Sequence, residues 1–365
     1  MRLATQYLSL TALTQATLAT LLCVAPARAS TFTLLGTLNP GSSIGAVSGS
    51  TLYGTDSGGH LFSMTTSGTV KLLHTFSGGN DGGPANLQLV LNSAGALFGT
   101  SHDGGAYGGG TLWKYAHGIL TTMHAFGNGS DGSGPLQGPA SDGPSTLAGT
   151  TSGGADNTNG NAFTMHGAKY TVRYDFMSNG DGHCPFSGVA ADASHNLYGT
   201  TVGNGFGGNP TGSVWQLTPA NKLNTLYVFQ DGADGEYPDQ APALDSAGNI
   251  YGTTYIKGGS GFPGAIYKVV GTQGTVLHSF VGTDGYQPNS PLVLNTDGKF
   301  YGTTYQGGPG NYGVVYSITT AGGFTAVYAF TGKSDGSHPT GNLVHDSSGL
   351  IYGGTQTGTI FMIKP

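Results

Sequence analysis

Phe300-Tyr301-Gly302-Thr303-Thr304, preceded by the apolar run Leu292 to Leu294 and the polar turn Asn295 to Lys299, has the form of a β-hairpin: two strand-forming runs around a glycine-bearing turn. Downstream come a glycine-rich loop, Gly307 to Gly313, the run Val314-Val315-Tyr316-Ser317-Ile318, a turn at Thr320 to Gly323, and a run from Phe324 to Phe330 that ends in aromatics. The stretch between Pro291 and Pro339 therefore predicts four short antiparallel strands.

The same unit recurs along the chain. An aliphatic or aromatic pair followed by Gly-Thr, or once by Gly-Gly, places its glycine at Gly54, Gly99, Gly149, Gly199, Gly252, Gly302 and Gly353, at spacings of 45 to 53 residues. Those spacings leave no room for an unrelated second domain. A four-stranded sheet cannot cover both its own faces, and radial stacking around an axis buries them. The expected fold is all-β, a seven-bladed β-propeller of four-stranded antiparallel blades over residues 30–365. The last unit supplies only three strands, Leu343 to His345, Leu350 to Gly354 and Ile360 to Ile363, while Thr31 to Leu38 is a strand left over before the first unit. Pairing that N-terminal strand outside the C-terminal three closes the ring and removes two exposed edges.

Composition agrees with turn-rich β structure. Of 365 residues 67 are Gly and 17 Pro, only 8% are charged, and Glu236 is the single Glu. Helix-surface residues are scarce, and the glycines fall at fixed offsets, which a low-complexity coil lacks. Residues 1–29 have the form of a secretory signal: Arg2, the apolar stretch Leu8 to Val24, and a small-x-small site at Ala27-Arg28-Ala29. Thr11, Thr14, Gln15, Thr17 and Thr20 dilute the stretch below what a membrane span needs. Bulky Leu22 before Cys23 argues against lipidation. The expected mature chain starts near Ser30, carries 10 basic against 18 acidic residues, and keeps one cysteine, Cys184, so no intrachain disulfide forms. Its negative charge disfavours nucleic acid and anionic membrane. A secreted, periplasmic or extracellular monomer without membrane insertion is expected.

The unit with Tyr-Gly-Thr-Thr, a Gly-Gly loop and an Asp-Gly-x-x-Pro-like turn resembles the GloVer tandem repeat, a choice-of-anchor family of bacterial exported proteins. The resemblance spans Ser30 to Pro365 and departs from the pattern at Asn39-Pro40-Gly41, at the short loop Ser57-Gly58-Gly59, and at Leu147-Ala148-Gly149, where the tyrosine is lost. No anchor follows Ile363, so the resemblance implies an unanchored member.

Six aspartates, Asp81, Asp131, Asp181, Asp234, Asp284 and Asp335, precede a glycine in the turn from one outer strand to the next inner strand. One carboxylate per turn fits turn capping; calcium, which needs several converging oxygens, is the alternative. His74, His124 and His278 share a slot with Tyr174, Tyr227 and Tyr328, two residues before a phenylalanine, and a slot open to either ring is a packing or hydrogen-bonding position. Cys184 beside His183 occurs in one unit only and lacks the orienting group a nucleophile requires. The loops between second and third strands emerge on the face that carries the blade-to-blade links. Four of them present an aromatic, Tyr107, Phe206, Phe262 and Tyr312, and one is amide-rich with Asn157, Asn159 and Asn161. Those four rings are candidate ligand contacts, or else each holds down its own loop.

These features imply a non-enzymatic binding or surface-interaction module for extracellular glycan or protein, with no cofactor. The alternatives are a polysaccharide hydrolase or lyase, for which Glu236 is the first suspect, and an envelope-structural protein. Only Trp113 and Trp215 are present, too few for a quinone-cofactor propeller, and the Gly-x-Gly strings lie between strands, where they are not nucleotide signatures.

Overall fold

The computed structural model describes residues 30–153, 159–177, 184–203, 212–230, 234–256 and 263–365. Residues 1–29 and the sequence candidates Asn157, Asp181, His183, Phe206 and Phe262 lie outside these.

The described strands form seven antiparallel sheets arranged as a seven-bladed β-propeller. Blade 1 runs outward through Ser43–Ser48, Thr51–Thr55, His60–Thr65 and Val70–Thr75. Blade 7 holds Pro339–His345, Ile351–Thr355 and Thr359–Lys364, and its outermost strand is Thr31–Thr37, paired from Thr31↔Lys364 to Thr37↔Thr359. Closure is thus made by hydrogen bonds between the two ends of the chain. Crowding at the axis shortens the inner strands to two residues in blades 2 to 6, as in Val90–Leu91 and Ala243–Leu244. The inner run expected at Leu292 to Leu294 is Val293–Leu294, and blade 6 adds Tyr286–Pro288 against the upper end of its second strand.

Register explains the repeat glycine. Gly54, Gly99, Gly149, Gly199, Gly252, Gly302 and Gly353 each stand directly opposite a third-strand aromatic: Phe62, Trp113, Phe163, Trp215, Tyr267, Tyr316 and Phe361. Each aromatic reaches over its glycine, so a Cβ there would come closer than 3 Å to ring atoms. The phenylalanine ending the previous blade's outer strand then packs on the same ring. Phe76–Trp113, Phe126–Phe163, Phe176–Trp215, Phe229–Tyr267, Phe280–Tyr316 and Phe330–Phe361 have centroids 5.1 to 5.5 Å apart. At the closing joint Leu38 packs in the cluster that contains Phe62. Burial of each such side chain contributes about 1.5–3 kcal/mol.

The threonine after the glycine is a latch. Thr100 Oγ1 donates to the Gln137 carbonyl of the next blade at 2.9 Å, and Thr150 and Thr200 bond Ser187 O and Pro238 O in the same way. All three are buried.

Candidate functional site

Two sets of aspartates brace the blades. In the links from outer to inner strand, the His/Tyr slot and the Asp-Gly turn form one device. His74 and His124 Nε2 lie 3.0 and 2.9 Å from Asp81 and Asp131 Oδ2, His278 Nε2 lies 2.9 Å from Asp284, and Tyr227 and Tyr328 hydroxyls donate to Asp234 and Asp335 at 2.8 and 3.0 Å. The same carboxylates accept backbone N–H groups of Ser77, Gly127, Gln230, Val281 and Thr331. Burial opposes ionisation of Asp335. The Thr331 hydroxyl and N–H, Tyr328 and the Lys333 N–H outweigh it and hold the carboxyl below the usual range. Among the described residues no three His, Cys, Asp or Glu side chains converge as a metal cluster.

The second set sits in the turns on the opposite face. Tyr198, Tyr251, Tyr301 and Tyr352 donate to Asp192, Asp245, Asp297 and Asp346 at 2.8 to 3.0 Å. Sequence reasoning passed over this pairing. Its signal was available: an Asp six residues before three of the tyrosines, and Asn92 where Phe98 carries no hydroxyl.

The upper face, which carries the blade-to-blade links, also holds a series of strained backbone positions, one of which, His338, sets its Nδ1 2.9 Å from the Tyr305 carbonyl. Cys184, Tyr237, Gln287 and His338 all have positive φ, 49° to 56°, and each immediately precedes a proline. Gly134 occupies the equivalent place in blade 3 with φ 64°. Two backbone bonds enforce the conformation: His338 N donates to Tyr312 O at 2.8 Å, and His338 O accepts from Gln356 N at 2.9 Å. Cys184 is held likewise by Asn159 O and Val202 N. A left-handed non-glycine residue costs about 1–2 kcal/mol, and such strain clusters where side chains have work to do.

Aromatics gather around these links over blades 5 to 7. Tyr305 stacks on His338 with centroids 4.7 Å apart and planes at 28°, and its hydroxyl donates to Gln356 Oε1 at 2.7 Å. Tyr312 meets the His338 ring edge at 6.2 Å and lies against Gly332. Next along the ring, Tyr255 has its hydroxyl pKa pushed up by burial and then by the charges of Asp239, Tyr286 and Tyr305. These rings are partly exposed, Tyr312 by 38%.

Of the four loop aromatics, Tyr312 belongs to this patch, whereas Tyr107 is 56% exposed in blade 2, on the far side of the ring. Glu236 is buried, with its backbone bridged to Ile256. Cys184 is half-buried, and burial raises its thiol pKa. Below the patch an axial cavity of about 450 Å³ is walled by small apolar residues such as Ala46, Val189, Pro242 and Leu343. Gln137 reaches from blade 3 to Asp239 O at 3.1 Å and Gln240 Oε1 at 3.3 Å.

The sequence pattern of the Gloeobacter/Verrucomicrobia repeat matches residues 39–260 and again 207–365, which together take in all seven blades. The chain belongs to this repeat family. None of the curated proteins compared with it matches. Among solved structures it is similar to the WD40 β-propeller domain of Doa1, at 13% identity and a TM-score of 0.60, covering 92% of this chain and 97% of that one. It is also similar to an extracellular domain of a one-component system from B. thetaiotaomicron, at 13% identity and a TM-score of 0.61, covering 92% of this chain but 40% of that one. At such identities the likeness is one of fold alone.

Proposed function

We propose that this repeat protein is an exported, non-enzymatic binding module that takes an extracellular glycan on the upper face of blades 5 to 7. The observation that carries the reading is His338: a half-buried imidazole kept at φ 53°, where glycine would be strain-free, and stacked under Tyr305. Rigid rings offer a flat apolar ledge to the C–H face of a sugar with little ordering cost. The Gln356 amide and the tyrosine hydroxyls beside it supply hydrogen-bonding partners for sugar hydroxyls. The signal-like segment 1–29 and the family resemblance support export. The low charge speaks for a neutral ligand.

The test is a polysaccharide and glycan array with residues 30–365, followed by titration calorimetry on His338→Gly and Tyr305→Ala. His338→Gly relieves backbone strain while removing the ring and its Nδ1 contact with the Tyr305 carbonyl, so lost binding by a protein that still folds is the expected result. Binding that survives both changes, or no binding to any glycan by the folded protein, overturns the reading.

A further inference from the structure

Asp239 occupies in blade 5 the place that Asn86 holds in blade 2 and Asn289 in blade 6. Each lies fourteen residues before the latch threonine of its own blade, Thr100, Thr253 or Thr303. The two asparagines tie their blade to the next. Asn86 Nδ2 donates to Pro135 O and to Thr100 Oγ1, both at 2.7 Å, and Asn289 Nδ2 donates to Pro339 O at 3.1 Å. Pro135 and Pro339 each follow a positive-φ residue, and Pro288 is their counterpart opposite Asp239.

A carboxylate in this position has no hydrogen to offer a carbonyl. The consequence is visible at two atoms: Asp239 Oδ1 and Thr253 Oγ1 are buried without a hydrogen-bond partner. We propose that Asp239 is a pH-operated tie between blades 5 and 6, its protonated carboxyl donating to the Pro288 carbonyl as the asparagine amides do in blades 2 and 6, and the tie opening when the carboxyl ionises.

Burial lifts the Asp239 pKa to about 6, against the opposing pull of Gln240 and its own backbone. The titratable groups facing it among the described residues are Tyr255, beyond the end of the second strand, and Tyr267 on the third strand; both are affected by its charge and neither is a cation. Tyr286 opens the short strand that ends at Pro288, and Glu236 lies earlier in the same link. Gln137, from blade 3, bonds the Asp239 carbonyl. Because the folded pKa lies above the ordinary 3.8, the stabilisation is complete below about pH 4 and is lost as pH rises through about 6.

Thermal and urea unfolding of the wild type, Asp239→Asn, Asp239→Ala and Asn289→Asp from pH 4 to pH 8 tests it. Asp239→Asn is expected to match the wild type near pH 4 and to exceed it at pH 8, the ratio of their folding constants changing on the order of 100-fold. Asp239→Ala should fall below the wild type at pH 4, where the tie is closed, and Asn289→Asp should gain a new loss of stability between pH 4 and 8. A pH-independent offset between wild type and Asp239→Asn, or a wild type that is the more stable at pH 8, as a bound cation at Asp239 would give, overturns the proposal.

Discussion

Trp215 reaches over Gly199, its exact cross-strand partner, so that any side chain at 199 would enter the indole ring. Gly199→Ala is therefore expected to destabilise the protein by about 1–3 kcal/mol through overpacking. Trp215→Phe should be tolerated better than Trp215→Ala, because Phe62, Phe163 and Phe361 fill the same place in other blades. Urea unfolding measures both, and an unperturbed Gly199→Ala protein would show that the ring can slide away.

The joint between blades depends on a hydroxyl. Thr100→Val keeps the shape but leaves the Gln137 carbonyl and Asn86 amide without their partner in a buried place, at a cost of about 1–3 kcal/mol. Thr100→Ser should recover most of that loss in the same denaturation experiment.

Acid should weaken the molecule through its turn carboxylates. Burial resists ionisation at Asp81, Asp192, Asp245, Asp335 and Asp346, yet the hydrogen bonds each accepts hold it below the ordinary carboxylate range. Their stabilisation is present above about pH 4 and is lost as pH falls through the lower folded values. Asp335→Asn should be less acid-sensitive than the wild type in thermal melts from pH 2 to pH 6. Tyr328→Phe, which removes one of several bonds to Asp335, should cost about 1 kcal/mol at neutral pH.

Cys184 should react sluggishly. Burial keeps the thiol protonated at neutral pH, and thiolate is the reactive form. Alkylation by iodoacetamide is expected to be much slower than for a small free thiol and to accelerate in denaturant; equal rates would place the sulfur in open solvent.

Removing the strand Thr31–Thr37 should expose the edge of Thr359–Lys364 and strip Phe32 from its stack on Tyr328 at 4.1 Å. Size-exclusion chromatography is expected to show self-association of the shortened protein through that edge. A stable monomer would mean that closure does not depend on it.

Blade number, strand order and closure were legible because a tyrosine, a glycine and a threonine repeat in register with the strands. The aromatic facing each glycine was hidden, since Phe, Trp and Tyr serve there equally and only pairing reveals that Phe62 and Trp215 play one part. The Asp81 and Asp335 turns were recognised, but not their bonds to His74 and Tyr328, because the two motifs lie seven residues apart across a bend. The patch around His338 was illegible for a different reason. It joins Tyr305, Tyr312 and Gln356 from neighbouring blades, and its sign, a positive φ ahead of a proline, leaves no mark in composition.

The pairing of Thr31 with Lys364 also sets a timetable for synthesis. The strand Thr31–Thr37 leaves the ribosome well ahead of its partner Thr359–Lys364, so the ring cannot shut until those later residues have also emerged. A nascent chain stalled anywhere before Thr359 would hold Phe32 and Leu35 without the neighbour strand they pack beside in the closed ring.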